Sequence, residues 1–458
     1  MPRFRFDGIL TEQGWLEPGF VIADGDGRLL SVSNRAPHDG EPCDRIPGFA
    51  VPGFRNAHSH AFQYAMAGLG EHLRGEADDF WSWREAMYDL ALRVDLDQME
   101  AIAAMVYAEM LRHGYTAVAE FHYLHHDRDG SLYPRPAAMA QRLMRAADAV
   151  GIALTLVPMY YRLGGFGRGA LPEQRRFLSG SVDAYQGLVE DARSCAEAFE
   201  RVRVGVGVHS LRAAEPDEIR RIFGEAPESA PRHLHIAEQV REVDECLRHL
   251  GRRPVAWLLD EVPVDHRFHL VHATHVAEFE WRGILERGAH VVLCPSTEGN
   301  LGDGFFPIRD YHRAGGSWSI GTDSHIGLSP MEELRWLDYG QRLNDRRRNV
   351  LCTRAGDDSG DQLFRTAFEG GRAAMGEPGG AWFPTGEPFD AVILDNAHPL
   401  LHHCKPARRM ATLIHGLDAG ALLGTITAGT WRVRAGEHLD GSAIREHFDA
   451  ALASLGNR

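Results

Sequence analysis

From Pro47 to about Trp382 the chain repeats one pattern, a short apolar or β-branched run followed by a longer stretch with helical spacing. The runs fall at 49–54, 116–121, 153–159, 203–209, 233–237, 268–272, 290–294 and 318–322. Strands separated by helices lie parallel, because a crossover helix returns the chain to the starting edge of the sheet. Between the first two runs, positions 99, 102, 103, 106, 107, 110 and 111 are apolar, which draws one stripe along a helix that Gly114 ends. Eight such units predict an α/β fold built on a (β/α)8 barrel of the TIM type, whose chemistry sits at the C-terminal ends of the strands. A doubly wound sheet is the rival architecture.

The placing of reactive residues separates the two. His58 and His60 follow the apolar run Gly48-Phe-Ala-Val-Pro-Gly-Phe54. An i, i+2 pair on a strand sends both imidazoles to one face, which suits two bonds to a single metal ion. Alone this is weak in a chain with 25 histidines, where a surface or core pair is the commoner meaning. It gains force because His235 (His-Ile-Ala-Glu), His272 (Val-His-Ala-Thr-His) and Asp323 (Gly-Thr-Asp-Ser-His) also stand at the ends of strand-like runs. A closed barrel brings the ends of its first and last strands together, and an open sheet does not. The arrangement reads as a metal-dependent hydrolase site.

The 458 residues, 44% apolar and 25% charged, are ordinary for a water-soluble globular chain. No apolar run approaches the ~20 residues that span a bilayer, and Met-Pro-Arg-Phe-Arg-Phe-Asp offers no signal core, so a cytoplasmic location is expected. Six scattered cysteines, none in a Cys-x-x-Cys pair, read as free thiols in a reducing compartment. A net charge of −15 argues against nucleic acid or an anionic membrane as partner. Lys405 is the only lysine, so no lysine-dependent chemistry can operate in the barrel.

The flanks differ from the middle. Residues 1–50 carry a hairpin pattern with a Gly/Asp turn, and 384–438 carry Asp390-Ala-Val-Ile-Leu-Asp and Gly424-Thr-Ile-Thr-Ala-Gly-Thr-Trp-Arg-Val-Arg. They are expected to meet as one small β-sandwich around a barrel at 51–383, with a C-terminal helix within 439–458. The stretch Gly164-Gly-Phe-Gly-Arg-Gly169 lacks the ending of a phosphate loop and reads as a mobile loop over the site.

Taken together, His58-Ser-His60, His235-Ile-Ala-Glu238, His272-Ala-Thr-His275, Cys294-Pro-Ser-Thr-Glu-Gly-Asn-Leu301 and Gly321-Thr-Asp-Ser-His325 resemble the amidohydrolase superfamily, on its deaminase branch. More narrowly, His58-Ser-His-Ala-Phe-Gln63, Trp81-Ser-Trp-Arg84, Glu120-Phe-His-Tyr123 and Val208-His-Ser-Leu-Arg212 are similar to the formimidoylglutamate deiminase family. That family hydrolyses N-formimidoyl-L-glutamate to N-formyl-L-glutamate and ammonia in histidine breakdown. The resemblance implies a homodimer and, with no lysine ending strand four, one metal ion per chain. His58, His60, His235 and Asp323 would hold it. Zinc is the default, Fe²⁺ or Mn²⁺ also suits the ligands, and zinc lowers the pKa of a bound water to ~7.

In this reading Glu238 moves a proton to the substrate or departing nitrogen, His272 orients the water, and Asp323 both ligates and shuttles a proton. The dicarboxylate substrate calls for two cationic or donor clusters. Arg212 with His209 supplies one, and Arg84 with Gln63 and Tyr123 the other. Trp81 and Trp83 are expected to pack, and His125, His126, His402 and His403 to be solvated. Two other functions compete: deamination of a neutral heterocycle such as guanine or cytosine, and a non-catalytic barrel scaffold. A neutral base would not require both arginines, and a scaffold would not require the full ligand set.

Overall fold

The computed structural model describes residues 1–37, 41–71 and 80–456. Eight parallel strands, Phe54–Ser59, Tyr115–His122, Ala153–Tyr160, Val206–Ser210, Arg232–Ile236, Phe268–His272, His290–Leu293 and Ser317–Ile320, pair with their neighbours in chain order. They are called strands one to eight below. Strands eight and one then meet: Ser59 bridges Asp323, and the His58 carbonyl accepts the amides of Thr322 and Asp323, each at 3.0 Å. The close approach needs Gly321, because a Cβ there would lie 2.6 Å from the Cβ of His58. The result is the barrel that the strand–helix alternation predicts.

Several boundaries differ from the sequence reading. The run at 49–54 is not strand one. Most of it completes Asp44–Pro52 in the second sheet, and strand one starts at Phe54. The run looks continuous because both halves are buried, one in each sheet. Gly53 marks the crossing, where a Cβ would lie 2.2 Å from the Thr116 side chain. The run at 203–209 is also divided, into Val202–Val204 and Val206–Ser210 around Gly205. The 164–169 stretch contributes to a two-stranded ribbon, Leu163–Gly165 with Arg168–Gly169.

The helix between strands one and two spans Leu96–His113. Asp95 caps its start, accepting the Gln98 amide at 2.8 Å while its own amide donates to the Gln98 side chain at 2.9 Å, and Gly114 ends it in the left-handed region at φ 101°. The final helix, Gly441–Leu455, packs on it, with Gln98 Nε2 donating to Ser454 Oγ at 2.7 Å.

Both chain ends build one nine-stranded mixed sheet. Asp44–Pro52 joins them, pairing parallel with Arg3–Thr11 and antiparallel with Ala391–Asp395. Its strands bury an apolar cluster of their own that includes Phe4, Phe6, Val21, Phe389 and Ile393. Among the described residues no helix is long and apolar enough to cross a membrane. All six cysteines are free.

Candidate active site

Four of the expected residues converge where strand one meets strand eight. His58 ends up buried on strand one, His60 follows it, His235 lies near the end of strand five, and Asp323 follows strand eight. His58 Nε2 and His60 Nε2 each lie 3.4 Å from Asp323 Oδ1, and His235 Nε2 lies 3.1 Å from His58 Nε2. Ligand atoms held tetrahedrally ~2.0–2.1 Å from a zinc ion stand about 3.3 Å apart, so these separations match the edges of such a cage. The hydrogen bonding agrees. His60 Nδ1 donates to the Phe121 carbonyl and His235 Nδ1 to the His209 carbonyl, both at 2.9 Å. Each Nε2 therefore carries a lone pair, and lone pairs aimed at a carboxylate oxygen repel unless a cation sits between them. The donor set fits a divalent metal ion, and His58, His60 and His235 form one of the clusters with that capacity.

Burial pushes the His58 pKa down to about 3, so the ring stays neutral, the form a metal ion would need. Burial opposes ionisation of Asp323, but the imidazoles of His58, His60 and His272 around it hold its carboxyl below the usual carboxylate range.

His272 completes the floor of the site. Its φ of 68°, with Ala273 at 50° and Asp323 at 47°, places three non-glycine residues of the site in the left-handed region. Such conformations are costly and persist only where the surroundings hold them, a pattern concentrated at functional sites. His272 Nε2 lies 3.6 Å from Asp323 Oδ2 and 3.8 Å from Glu238 Oε1, while Nδ1 sits 3.2 Å from Glu298 Oε1. Burial alone would lower its pKa, but these three carboxylates raise it to about 10. Burial raises the Glu238 carboxyl above its ordinary range, against the pull of His272 and Arg212.

Above these groups opens a cavity of about 540 Å³, counted to its mouth. Gln63, Arg84, Tyr123, His209 and Arg212 all line it, so every residue expected to bind substrate faces the ligand cluster. Gln63 Nε2 donates to the Tyr123 hydroxyl at 2.9 Å. Arg84 stands on the helix Phe80–Ala91, its guanidinium 5.4 Å from the centre of the Tyr88 ring. Arg212 is buried in the turn after strand four. Burial opposes its charge, yet Glu242 and Glu238 beside it push its pKa up. Trp83 packs against the core and also lines the cavity, while the side chain of Trp81 falls outside the described residues.

Two sequence expectations fail nearby. His125 is buried and donates to the Met159 carbonyl at 2.9 Å, and half-buried His126 reaches the Leu178 carbonyl at 2.7 Å. They are structural links rather than solvated rings, because polar loop residues close to a barrel mouth still need buried partners. His402 and His403 are exposed, as expected.

The sequence reading assigned no role to Glu120, Tyr88, Tyr161, Glu242 or Glu298. Glu120 accepts from Ser59 Oγ and the Ala61 amide, both at 2.6 Å, and so brackets His60; burial raises its pKa to about 8. Gln174 donates to the hydroxyls of Tyr88 and Tyr161, at 2.9 and 2.7 Å, fixing two rings of the cavity wall. Only Glu120 and Glu298 stand inside quoted motifs. The others sit in ordinary helical or strand contexts that carry no signal.

The amidohydrolase family model matches residues 49–375, which include all eight barrel strands. A formimidoylglutamate deiminase of Pseudomonas aeruginosa is 45% identical over 450 residues, covering 97% of this chain and 98% of its own. A 5-methylthioadenosine/S-adenosylhomocysteine deaminase of Natronomonas pharaonis is 26% identical over 98% of this chain and 97% of its own. Among solved structures, an amidohydrolase from Brucella melitensis matches with TM-score 0.93 at 39% identity, covering 99% of this chain and 100% of the other. A zinc-bound adenosine deaminase from Xanthomonas campestris matches at TM-score 0.82 and 20% identity, over 100% and 98% of the two chains, and shares the fold. Barrel, histidine–aspartate cluster and relatives agree, and this chain belongs to the amidohydrolase family.

Proposed function

We propose that this protein is a zinc-dependent formimidoylglutamate deiminase, hydrolysing N-formimidoyl-L-glutamate to N-formyl-L-glutamate and ammonia. One observation carries the reading beyond the family: Arg84 and Arg212 line the same small cavity as the ligand cluster. A substrate with two carboxylates matches two guanidinium groups. The curated deiminase relative at 45% identity supports the same chemistry.

His58, His60, His235 and Asp323 would hold one zinc ion. When bound, the ion supplies a water acidified to a pKa of ~7, ready to attack at neutral pH. Arg212, with His209, holds one carboxylate, and Arg84, with Gln63 and Tyr123, holds the other. The formimidoyl carbon is thereby pinned over the cluster. His272 Nε2 orients the attacking water. Glu238 delivers a proton to the terminal nitrogen and regains one from the added hydroxyl as the carbonyl forms. Asp323 accepts the proton of the attacking water through the oxygen facing His272 and passes it to the departing nitrogen, which so gains the two hydrogens that make it ammonia. Water adds across the C=N bond, the bond to the terminal nitrogen breaks, and ammonia leaves as the formyl carbonyl forms. On this reading the enzyme acts in histidine breakdown, in the cytoplasm and as a homodimer, a subunit number that light scattering would test.

The deciding experiment is ammonia release by the zinc-loaded protein from N-formimidoyl-L-glutamate, guanine, cytosine and adenosine. Only the first is expected to react efficiently. A neutral ligand brings no carboxylate to Arg84 or Arg212, and forgoing such charge-assisted contacts costs ~2–5 kcal/mol, or roughly 30- to several-thousand-fold in selectivity. Efficient turnover of a nucleobase would move the chain to the heterocycle-deaminase branch.

A further inference from the structure

Glu242 is a buried acid that the reaction does not use. It stands in the first turn of the helix Val240–Leu250, and its side chain is 0% exposed. A glutamate at this place in a helix ordinarily serves the helix, reaching back to the N-cap amide from a solvated surface. Glu242 reaches further. Its Oε1 accepts the amide of Ala237 at 3.1 Å, and its Oε2 accepts the amide of Glu238 at 3.2 Å. The same Oε2 lies 3.5 Å from Nη1 of Arg212. Ala237 has φ 52°, a left-handed turn between the ligand His235 and Glu238 that needs outside support. One carboxylate therefore touches the cation of the carboxylate-binding group and the backbone that aims the proton-transfer group.

We propose that Glu242 is a positioning residue that locks Arg212 and Glu238 into one unit, so that capture of the substrate carboxylate and aim of the transferable proton are set together. The inference rests on the function proposed above for the roles of those two residues. Removing the Arg212 cation leaves Glu242 as an uncompensated buried charge, which drives the carboxyl to take up a proton or turn toward water, and either change loosens its hold on both amides. Removing the Glu242 charge frees the Arg212 fork from its fixed direction and releases the turn at Ala237. The two losses are not independent, and that dependence distinguishes positioning from simple helix support.

The test uses the zinc-loaded full chain with Glu242→Gln, Arg212→Met and the double variant. Hydrogen exchange at the Ala237 and Glu238 amides reads the lock without any substrate. Arg212→Met is expected to speed that exchange roughly tenfold or more, although Arg212 bonds to neither amide. Kinetics on N-formimidoyl-L-glutamate read its consequence: Glu242→Gln raises KM about tenfold and lowers kcat, yet adds less than about twofold to KM once Arg212 is methionine. Exchange at the wild-type rate in Arg212→Met, or KM penalties that multiply in the double variant, would overturn the proposal. So would a loss confined to Tm with KM unchanged, the mark of a helix cap. If Glu242→Gln folds poorly, the exchange result with Arg212→Met decides alone. A wild-type protein inert toward N-formimidoyl-L-glutamate overturns the functional reading, and the exchange result still decides for or against the lock.

Discussion

Histidines occupy the barrel twice, at its mouth and in its middle, and the two sets behave as different materials. At the mouth, His58, His60 and His235 turn their Nε2 atoms toward one point, with His60 and His235 braced by backbone carbonyls. Deeper in, His233, His269 and His290 stand in register on strands five, six and seven. Their ring centroids lie 4.7 and 4.9 Å apart, the first pair tilted by 31° and the second stacked at 21°. Phe121 separates the sets, 4.2 Å from the His58 ring and 5.5 Å from that of His233. Residue type therefore does not make the site. Position at the strand end and convergence of the Nε2 atoms do, while the same side chain one layer down fills the barrel as a neutral polar ring, His233 giving its Nε2 hydrogen to the Ala374 carbonyl.

The contrast breaks most sharply at the ligands. Asp323→Asn or His235→Ala should lose bound zinc and fall below about a thousandth of wild-type turnover, since the acidified water goes with the ion. Stoichiometric zinc by metal analysis with full activity in either variant would sink the ligand assignment. Glu238→Gln should keep zinc and fold but lose about 10²–10⁴ in kcat, the range for a missing proton-transfer group. Stopped-flow or steady-state ammonia release checks this, and near-normal turnover would make Glu238 structural. Arg212→Met should cut kcat/KM for the dicarboxylate by roughly 10²-fold or more, through a buried charge left without its partner, while metal content stays at the wild-type level.

The smallest effect belongs to the inner set. His269→Leu should leave zinc content and turnover close to wild type. Its influence is on acid stability. Burial and the neighbouring His233 and His290 hold the His269 pKa well below its ordinary 6.5. The unfolded chain binds a proton below pH 6.5 and the folded chain does not, so this histidine costs stability as pH falls through that value. Urea unfolding of His269→Leu should therefore show a shallower loss between pH 6.5 and 5 than wild type, by up to about 1.4 kcal/mol per pH unit. An unchanged slope, or lost metal, would erase the distinction between the two sets.

Much of this was readable from the chain. Eight apolar runs with helices between them imply the barrel, and residues at run ends imply the mouth, because side-chain period and strand polarity are local properties. The boundary at Gly53 was not readable: apolar character marks burial, and burial in two different sheets looks alike in one dimension. His125 was misjudged for the converse reason, since its polar neighbours conceal a buried bond to Met159. Glu242 stayed silent because a helical glutamate looks the same whether it faces water or, as here, Arg212.

The seam between strands one and eight also has a temporal meaning. Asn56 Nδ2 donates to the Thr322 hydroxyl at 2.7 Å across a sequence separation of 266 residues, beside the Ser59–Asp323 bridge. His58 and His60 are among the first barrel residues to leave a ribosome, and Asp323 is among the last. No nascent chain short of strand eight can bring all four residues of the cluster together, because Asp323 follows that strand. Long-range closure of this kind is slow to form. The last strand to be made is thus the one that closes the barrel and brings Asp323 to the histidines of the first.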